Sequence, residues 1–200
     1  MANYHGEKKS GKLGDVIYSS WHGRPYVRRR PESVANPQTE AQQAHRNAFA
    51  EISRLSSAMK EGHRVGLHYQ AVRKKLNTHS VFKRLNKDCY GAHGINYPRV
   101  RISHGSVTGF SIISAEVDAQ GVVRVAFDGF GMPENNNDEF YLFVFCPDQH
   151  EGLFIAPVAR SVGFVSASIL EEWKGCALHL YAFMKDKKGR TSETIYVGQY

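Results

Sequence analysis

The sequence predicts an α+β fold, in which an N-terminal β-hairpin and helices precede an antiparallel β-sandwich of immunoglobulin-like or fibronectin-like type. Three observations predict this arrangement. Aromatic and β-branched residues flank a glycine-containing turn near the N-terminus. Apolar residues then recur at helical spacing over about five turns. From residue 99 onward, short apolar runs alternate with turn signals at the spacing of an all-β domain.

The hairpin is predicted from residues 15–21 and 25–30, which lie on either side of the glycine turn. Alternate side chains of a strand share a face, so Tyr26, Arg28 and Arg30 are expected on one side. A lone hairpin is only marginally stable in water, and we therefore expect this one to pack on another surface. The polar, glycine-rich segment before it predicts a mobile arm in the isolated chain.

Three helices are predicted between the hairpin and residue 90. The first begins after a capping-box pattern at Thr39 and Gln42 and is expected to end near Gly62. The second is expected at residues 64–76, and Thr78 is the expected cap of the third. The first helix carries one apolar stripe, which Phe49 widens: Ala41, Ala44, Ala48, Ile52, Leu55 and Met59.

Only β-structure is predicted from residue 99 onward. Candidate strands are 99–103, 107–117, 122–127, 139–146, 152–158, 162–168, 176–184 and 192–198. Both alternating faces of segment 139–146 are apolar, so this strand is expected to be central. Hairpin turns are expected at 118–121 and 186–189. Trp173 is expected to close one end of the core.

Charge divides the chain in the same way. We predict a basic arm, hairpin and helical region at residues 1–90 and a β-sandwich domain at residues 99–200. Residues 1–100 contain 18 Lys and Arg against 7 Asp and Glu, whereas residues 101–200 contain 8 against 12. Such a separation indicates that the halves meet different partners, or that one half docks onto the other half of a neighbouring copy.

No catalytic or metal-binding signature stands out in the sequence. Cys89, Cys146 and Cys176 are far apart, with no Cys-x-x-Cys pair, and are expected to be reduced and buried. The histidines form no His-Glu-x-x-His or Cys/His ligand set. We therefore predict no enzyme activity, no cofactor and no metal, and an enzyme of unknown class is the distant alternative.

The chain also lacks a run of about 18 apolar residues and the apolar core of a secretory signal. No contact with a membrane is predicted. The expected location is the cytoplasm, or a virion if a phage encodes the protein.

Several short motifs resemble an uncharacterised family found in Bacteroidota. The N-terminal ones are Gly11-Lys-Leu-Gly14, Trp21-His-Gly23, Val27-Arg28, Pro31 and Asn36-Pro-Gln-Thr-Glu-Ala-Gln42. The C-terminal ones are Trp173-Lys-Gly, His179-Leu-Tyr-Ala-Phe183 and Tyr196-Val-Gly198. The resemblance covers most of the chain. It implies the same two-part layout and identifies no catalytic residue.

Two functions follow from the basic N-terminal half. The first is a non-catalytic structural subunit, of a phage-like or prophage-encoded particle, whose copies or fellow particle proteins interlock through that half. The alternative is a protein that binds DNA or RNA, with arginine and lysine on the phosphates and aromatic side chains on the bases. The candidate partner or phosphate contacts are Trp21, Arg24, Arg28, Arg29, Arg30, Arg73, Lys74 and Lys75.

Overall fold

A computed structural model describes residues 3–5, 8–21, 23–33, 36, 38–91, 94–129 and 137–200. These residues form helices and antiparallel strands, so the fold is α+β, as predicted. The helices are α1 (Glu40–Ala58), α2 (Lys60–Gly66), α3 (His68–Lys74) and α4 (Thr78–Leu85). The first six strands are β1 (Asn3–His5), β2 (Lys8–Leu13), β3 (Val16–Trp21), β4 (Arg24–Arg29), β5 (Tyr90–Gly91) and β6 (Gly94–Ile95). The others are β7 (Ser111–Val117), β8 (Val122–Asp128), β9 (Glu139–Cys146), β10 (Glu151–Ala159), β11 (Phe164–Ser168), β12 (His179–Lys185) and β13 (Ile195–Gln199).

The chain folds as two compact units, residues 1–40 and 41–200. These units differ from the predicted regions 1–90 and 99–200. The physical reason is that the helices after residue 40 bury their apolar side chains in a core shared with strands of the C-terminal half. The helical region and the strands therefore belong to one unit, and only the hairpin region is separate.

The first unit is a four-stranded antiparallel sheet in the order β1-β2-β3-β4. The predicted hairpin is confirmed as β3 and β4, which pair Tyr18 with Val27. The segment before it, expected to be a mobile arm, instead contributes β1 and β2. Gly14 has a φ of 57°, so a two-residue turn with Asp15 folds β2 back onto β3.

The second unit contains two antiparallel sheets that share one apolar core, in the orders β10-β9-β12-β13 and β11-β8-β7. The central position predicted for β9 is confirmed, because β10 and β12 pair with its two edges. Turns 118–121 and 186–189 are also confirmed as hairpin turns, each closed by a backbone hydrogen bond. Trp173 is 1% exposed and packs in this core.

The helices cover the other face of the sheet that contains β9. Tyr141, Phe143 and Phe145 alternate with the residues that face the first core and point into a second one. That second core is completed by side chains of α1 to α4, among them Ile52 and Phe82. The doubly apolar pattern of β9 thus reflects a strand buried on both faces.

The helices differ from the prediction in three places. The single helix expected at 64–76 is divided into α2 and α3 at Leu67, which has φ of −112° and ψ of 4°. Gly62 does not end a helix but lies within α2, where a Cβ would stand 3.2 Å from the ring of Phe143. The glycine thus favours close packing of α2 on Phe143 and does not mark a helix end. The cap of α4 is Asn77, not Thr78, because the Asn77 side chain accepts a hydrogen bond of 2.7 Å from the backbone N–H of Ser80.

The predicted strand 99–103 is absent. A 3-10 turn at Tyr97–Arg99 is followed by irregular chain. There the backbone N–H groups of Ile102 and Ser103 donate to Thr194 Oγ1, at 3.0 and 2.7 Å. A side-chain acceptor satisfies these buried donors, so no strand ladder forms. The remaining predicted strands are present, 139–146 with the predicted ends and the others with shifted ends.

Candidate interaction surfaces

The sheet of the first unit has no core of its own in the described residues. None of its described side chains is buried, and only Gly11 and Val16 to Ser19 are partly covered. Large apolar side chains are exposed, including 59% of Leu13 and 55% of Val27. A small sheet that buries no apolar face is marginally stable by itself, so this one is suited to docking on another surface.

The strand register gives this sheet one apolar face. Leu13 lies opposite Val16 on β2 and β3, and Tyr18 lies opposite Val27 on β3 and β4. Residues directly opposite one another on antiparallel strands project to the same side. These four positions also alternate along their strands, so they form a continuous patch, bordered by Arg29 opposite Val16. We call this patch the apolar face.

The opposite side of the sheet is basic and aromatic. Trp21 lies opposite Arg24, Ser19 opposite Tyr26, and Ile17 opposite Arg28. Trp21 is 73% exposed and Tyr26 is 45% exposed, and both line a shallow cleft with Arg24. We call this side the basic face. The expectation that Tyr26 and Arg28 share a face is confirmed.

The structure brings together only part of the predicted contact set. Trp21, Arg24 and Arg28 share the basic face, whereas Arg29 projects to the other side of the sheet and lies 3.5 Å from Glu32. Arg30 follows the end of β4, and its backbone N–H donates to the carbonyl of Asp15. Arg30 therefore lies outside β4 and, contrary to the expectation, does not share a strand face with Tyr26 and Arg28.

The other three predicted residues, Arg73, Lys74 and Lys75, belong to the second unit. Arg73 and Lys74 form the last turn of α3, and Lys75 ends the helix in a left-handed conformation with φ of 52°. Positive side chains at a helix C-terminus interact favourably with the helix dipole. Their position at the end of α3 therefore has a structural explanation.

Sequence reasoning missed a second basic surface, between α1 and α4. Phe49 was expected to widen the buried stripe of α1, yet its side chain is 56% exposed. Lys83 Nζ lies 4.9 Å from the centroid of its ring, within cation–π range. Phe49 follows Ala48 by one position, which rotates it about 100° around the helix. This displacement from the apolar stripe is the feature of the sequence that indicates exposure of the Phe49 side chain.

The helical layer contains a group of buried and half-buried polar side chains, Ser56, His63 and His79. Ser56 Oγ lies 2.8 Å from His79 Nδ1, and His63 Nε2 donates to the backbone carbonyl of Ser56 at 2.8 Å. The pKa of His63 is lowered to about 4, mainly by burial; the charges of His79 and Lys60 also lower it, and the hydrogen bond to the Ser56 carbonyl opposes them. Ser56 is 1% exposed and so has no access to substrate. The group is better explained as a hydrogen-bonded part of the core.

Within the described ranges, no three His, Cys, Asp or Glu side chains are arranged to hold a metal ion. No described helix combines the length and apolar character needed to cross a membrane.

A family model described as "Family of unknown function (DUF6266)" matches residues 8–198. The chain belongs to this family. No curated protein matches the chain. The membership agrees with the resemblance to an uncharacterised family, and the match extends over most of both compact units. Strands β2, β3 and β4 of the first unit therefore lie within the DUF6266 match.

Proposed function

We propose that this DUF6266 protein is a non-catalytic subunit of a larger assembly, of the phage-like or prophage-encoded kind, and that its first unit docks on another subunit. One observation carries the proposal: a four-stranded sheet leaves every described side chain at least partly exposed. Covering its apolar face would remove Leu13 and Val27 from water, which is the main favourable contribution to association.

Docking through a face is favoured over pairing at the edge formed by β4. That strand is charged at Arg24, Arg28 and Arg29, and Pro25 has no backbone N–H to donate. Charged residues and proline on an edge strand discourage addition of another strand. The edge is thereby protected, and the apolar face remains the better docking surface.

The arrangement of the second unit supports an immunoglobulin/fibronectin-like module. Seven strands form the two sheets, with β7, β8 and β11 in one and β9, β10, β12 and β13 in the other. The fourth of these seven strands, β10, pairs with the third, β9. In a constant-type immunoglobulin domain the fourth strand lies instead in the sheet of the first, second and fifth strands, so the pairing favours the fibronectin-like type. Modules of this architecture recur in proteins that bind other proteins. The Bacteroidota origin and the location in the cytoplasm or a virion stay predictions.

The test is the oligomeric state of nucleic-acid-free protein, measured by size-exclusion chromatography with light scattering at low and high salt. We expect a wild-type species larger than a monomer. Val27→Glu places a charge on the apolar face and is expected to give a smaller species than the wild type. Val72→Glu is the matched control, because Val72 is 64% exposed on α3 in the other unit. A monomeric wild type at all concentrations, or equal effects of the two variants, would contradict the proposal.

The basic face favours a second candidate function, binding of single-stranded DNA or RNA. Exposed aromatic rings beside arginines form the usual combination of base stacking and phosphate contact. The face provides Trp21 and Tyr26 for stacking, with Arg24 and Arg28 beside them. Binding of this kind weakens steeply as salt rises.

Titration of a fluorescent single-stranded oligonucleotide at several salt concentrations tests this candidate. We expect Trp21→Ala with Arg28→Glu to abolish binding and to leave the oligomer size unchanged. The control pair is Lys187→Glu with Lys188→Glu, at exposed positions in the turn before β13. Binding that the basic-face variant retains would exclude the basic face as the nucleic-acid site.

A further inference from the structure

The cleft between α1 and α4 is a second surface suited to a protein contact. His45, Phe49 and Ile52 line it from α1, and Lys83, Arg84 and Lys87 line it from the α4 side. No acidic residue is among the lining side chains. Arg84 and Lys87 are exposed, while Lys83 lies over the ring of Phe49. The α1–α4 cleft thus combines an exposed aromatic wall with three cations.

The size of the cleft fits one apolar side chain better than a free ligand. Its volume is approximately 250 Å³. Small-molecule pockets commonly measure about 300–1,000 Å³. An apolar anchor between Phe49 and Ile52, with carboxylates next to it, would satisfy both the apolar wall and the positive rim.

The same unit displays a segment with these properties. Leu170 is 43% exposed, and the next two residues, Glu171 and Glu172, are exposed on a 3-10 turn that ends at Trp173. Glu171 forms an exposed ion pair with Lys174 at 2.8 Å. An exposed ion pair contributes little to stability, so Glu171 can exchange Lys174 for a cation of another molecule at little cost in free energy. We call Leu170, Glu171 and Glu172 the acidic turn.

We infer that the α1–α4 cleft of one copy binds the acidic turn of a second copy. In this contact Leu170 enters the cleft beside Phe49, and the two glutamates face Arg84 and Lys87. The inference rests on the proposed assembly function and adds a second contact to it. Charge complementarity across the contact contributes register and partner choice more than affinity.

The two surfaces lie on different layers of the unit, which determines the type of assembly. The cleft belongs to the helical layer, whereas the acidic turn follows β11 in the sheet on the opposite side of the first core. A contact between unlike surfaces is heterologous. It therefore continues from copy to copy, forming a closed ring or an open filament.

Charge exchange in the full-length protein tests the contact. Variant C carries Arg84→Glu and Lys87→Glu, and variant T carries Glu171→Lys and Glu172→Lys. Each is expected to weaken assembly by about tenfold or more, because like charges then face each other. The chain with all four substitutions is expected to recover wild-type assembly, because the contact is re-formed with its charges reversed.

The matched control for variant C is Lys187→Glu with Lys188→Glu. These two lysines are exposed on a turn remote in sequence from both surfaces, and the change in net charge is the same. The control is expected to assemble like the wild type. Sedimentation velocity over a range of concentrations reads out size, and circular dichroism confirms that each variant is folded.

The outcomes separate this contact from the proposed function. Assembly of the wild type that neither variant C nor variant T weakens would overturn the contact and leave assembly through the apolar face intact. Weakening by both without recovery in the fourfold variant would also overturn it. Loss of oligonucleotide binding in variant C, with unchanged assembly, would identify nucleic acid as the occupant of the cleft instead. A monomeric wild type would overturn both the contact and the assembly function.

Discussion

The ring of Phe143 lies so close to the backbone of Gly152 that a Cβ on the glycine would stand 2.1 Å from Phe143 Cζ. Gly152 is on β10, and Phe143 is on the adjacent central strand β9. The same ring also packs against Gly62 of α2. One aromatic side chain therefore fills the space between a helix and a neighbouring strand, and glycine on both sides makes the fit feasible.

Gly152→Ala is expected to destabilise the protein by about 1–3 kcal/mol, because an added methyl group cannot be placed without moving the Phe143 ring. Chemical denaturation monitored by circular dichroism measures the change. Gly109→Ala is the control, since a Cβ there would meet no atom within 4 Å. When Phe143 is first replaced by Leu, Gly152→Ala is expected to lower the unfolding free energy by less, because the ring that the new methyl group would meet is gone. An equal cost in both backgrounds would show that the ring is not responsible.

Arg160 joins three stretches of chain at the end of the first core. Its guanidinium donates to the carbonyls of Thr108, Gly109 and Gly129 and lies 3.4 Å from Asp138 Oδ2, while the residue is only 3% exposed. Arg160→Met is expected to cost about 3–5 kcal/mol of unfolding free energy, because it removes a charged donor from a buried carboxylate and from three backbone carbonyls.

Adding Asp138→Asn to Arg160→Met should recover part of the lost stability, since the uncompensated charge is then removed. Arg124→Met is the surface control. Arg124 pairs with Glu116 and Asp118 on the exposed side of the sheet, and exposed pairs contribute about 0–1 kcal/mol. Similar losses at the two arginines would contradict the structural role of Arg160.

The buried His63 predicts a dependence of stability on pH. Its pKa is lowered from 6.5 to about 4 by burial, so the folded protein binds this proton less readily than the unfolded chain. Its contribution is fully present above pH 6.5 and is lost as the pH falls from 6.5 to about 4. The loss amounts to about 3 kcal/mol.

His63→Gln is the variant that tests this dependence, because its side-chain amide can still donate to the Ser56 carbonyl. Unfolding free energies are measured between pH 4 and 7.5, and the difference between wild type and variant is followed. Burial also lowers the pKa of His179, so the unfolding free energy of both proteins still depends on pH in this interval. If the two curves run parallel across this interval, His63 is not the group that titrates.

Asn86 connects the end of α4 to the irregular chain after residue 100. Its amide donates to the carbonyls of Phe82 and Arg101, each at 2.9 Å, and its carbonyl accepts from the Arg101 N–H at 2.7 Å. Asn86→Ala is expected to cost about 2 kcal/mol, because these backbone groups lose their partners. Asn77→Ala removes only the exposed cap of α4, at a cost of about 1 kcal/mol. Thermal unfolding measures the loss of stability in the two variants, which is expected to be larger for Asn86→Ala. A larger loss for Asn77→Ala would refute the prediction.

Local pattern predicted much of the β-structure. The hairpin and the shared face of Tyr26 and Arg28 followed from alternation around a glycine turn. The central strand β9 was recognisable because both of its faces are apolar. Interactions between neighbouring residues dominate these features, so the sequence carries them directly.

The candidate surfaces were only partly predictable. The pattern placed arginines and Trp21 on the hairpin, but it also grouped them with Arg73 to Lys75, which lie in the other unit. Exposure of Phe49 and the cleft beside it depends on how α4 crosses α1. Helical periodicity identifies an apolar stripe without specifying how far along the helix a partner covers it.

The sequence by itself determined the α+β class, most of the strands and the division of charge between the halves. Tertiary structure decided that the helices pack on the sheet of β9, which makes residues 41–200 one unit. It also decided that Leu13 and Val27 of the first sheet remain exposed. Strand and turn preferences act over a few residues, whereas the choice of which apolar face is covered depends on contacts between residues distant in the chain.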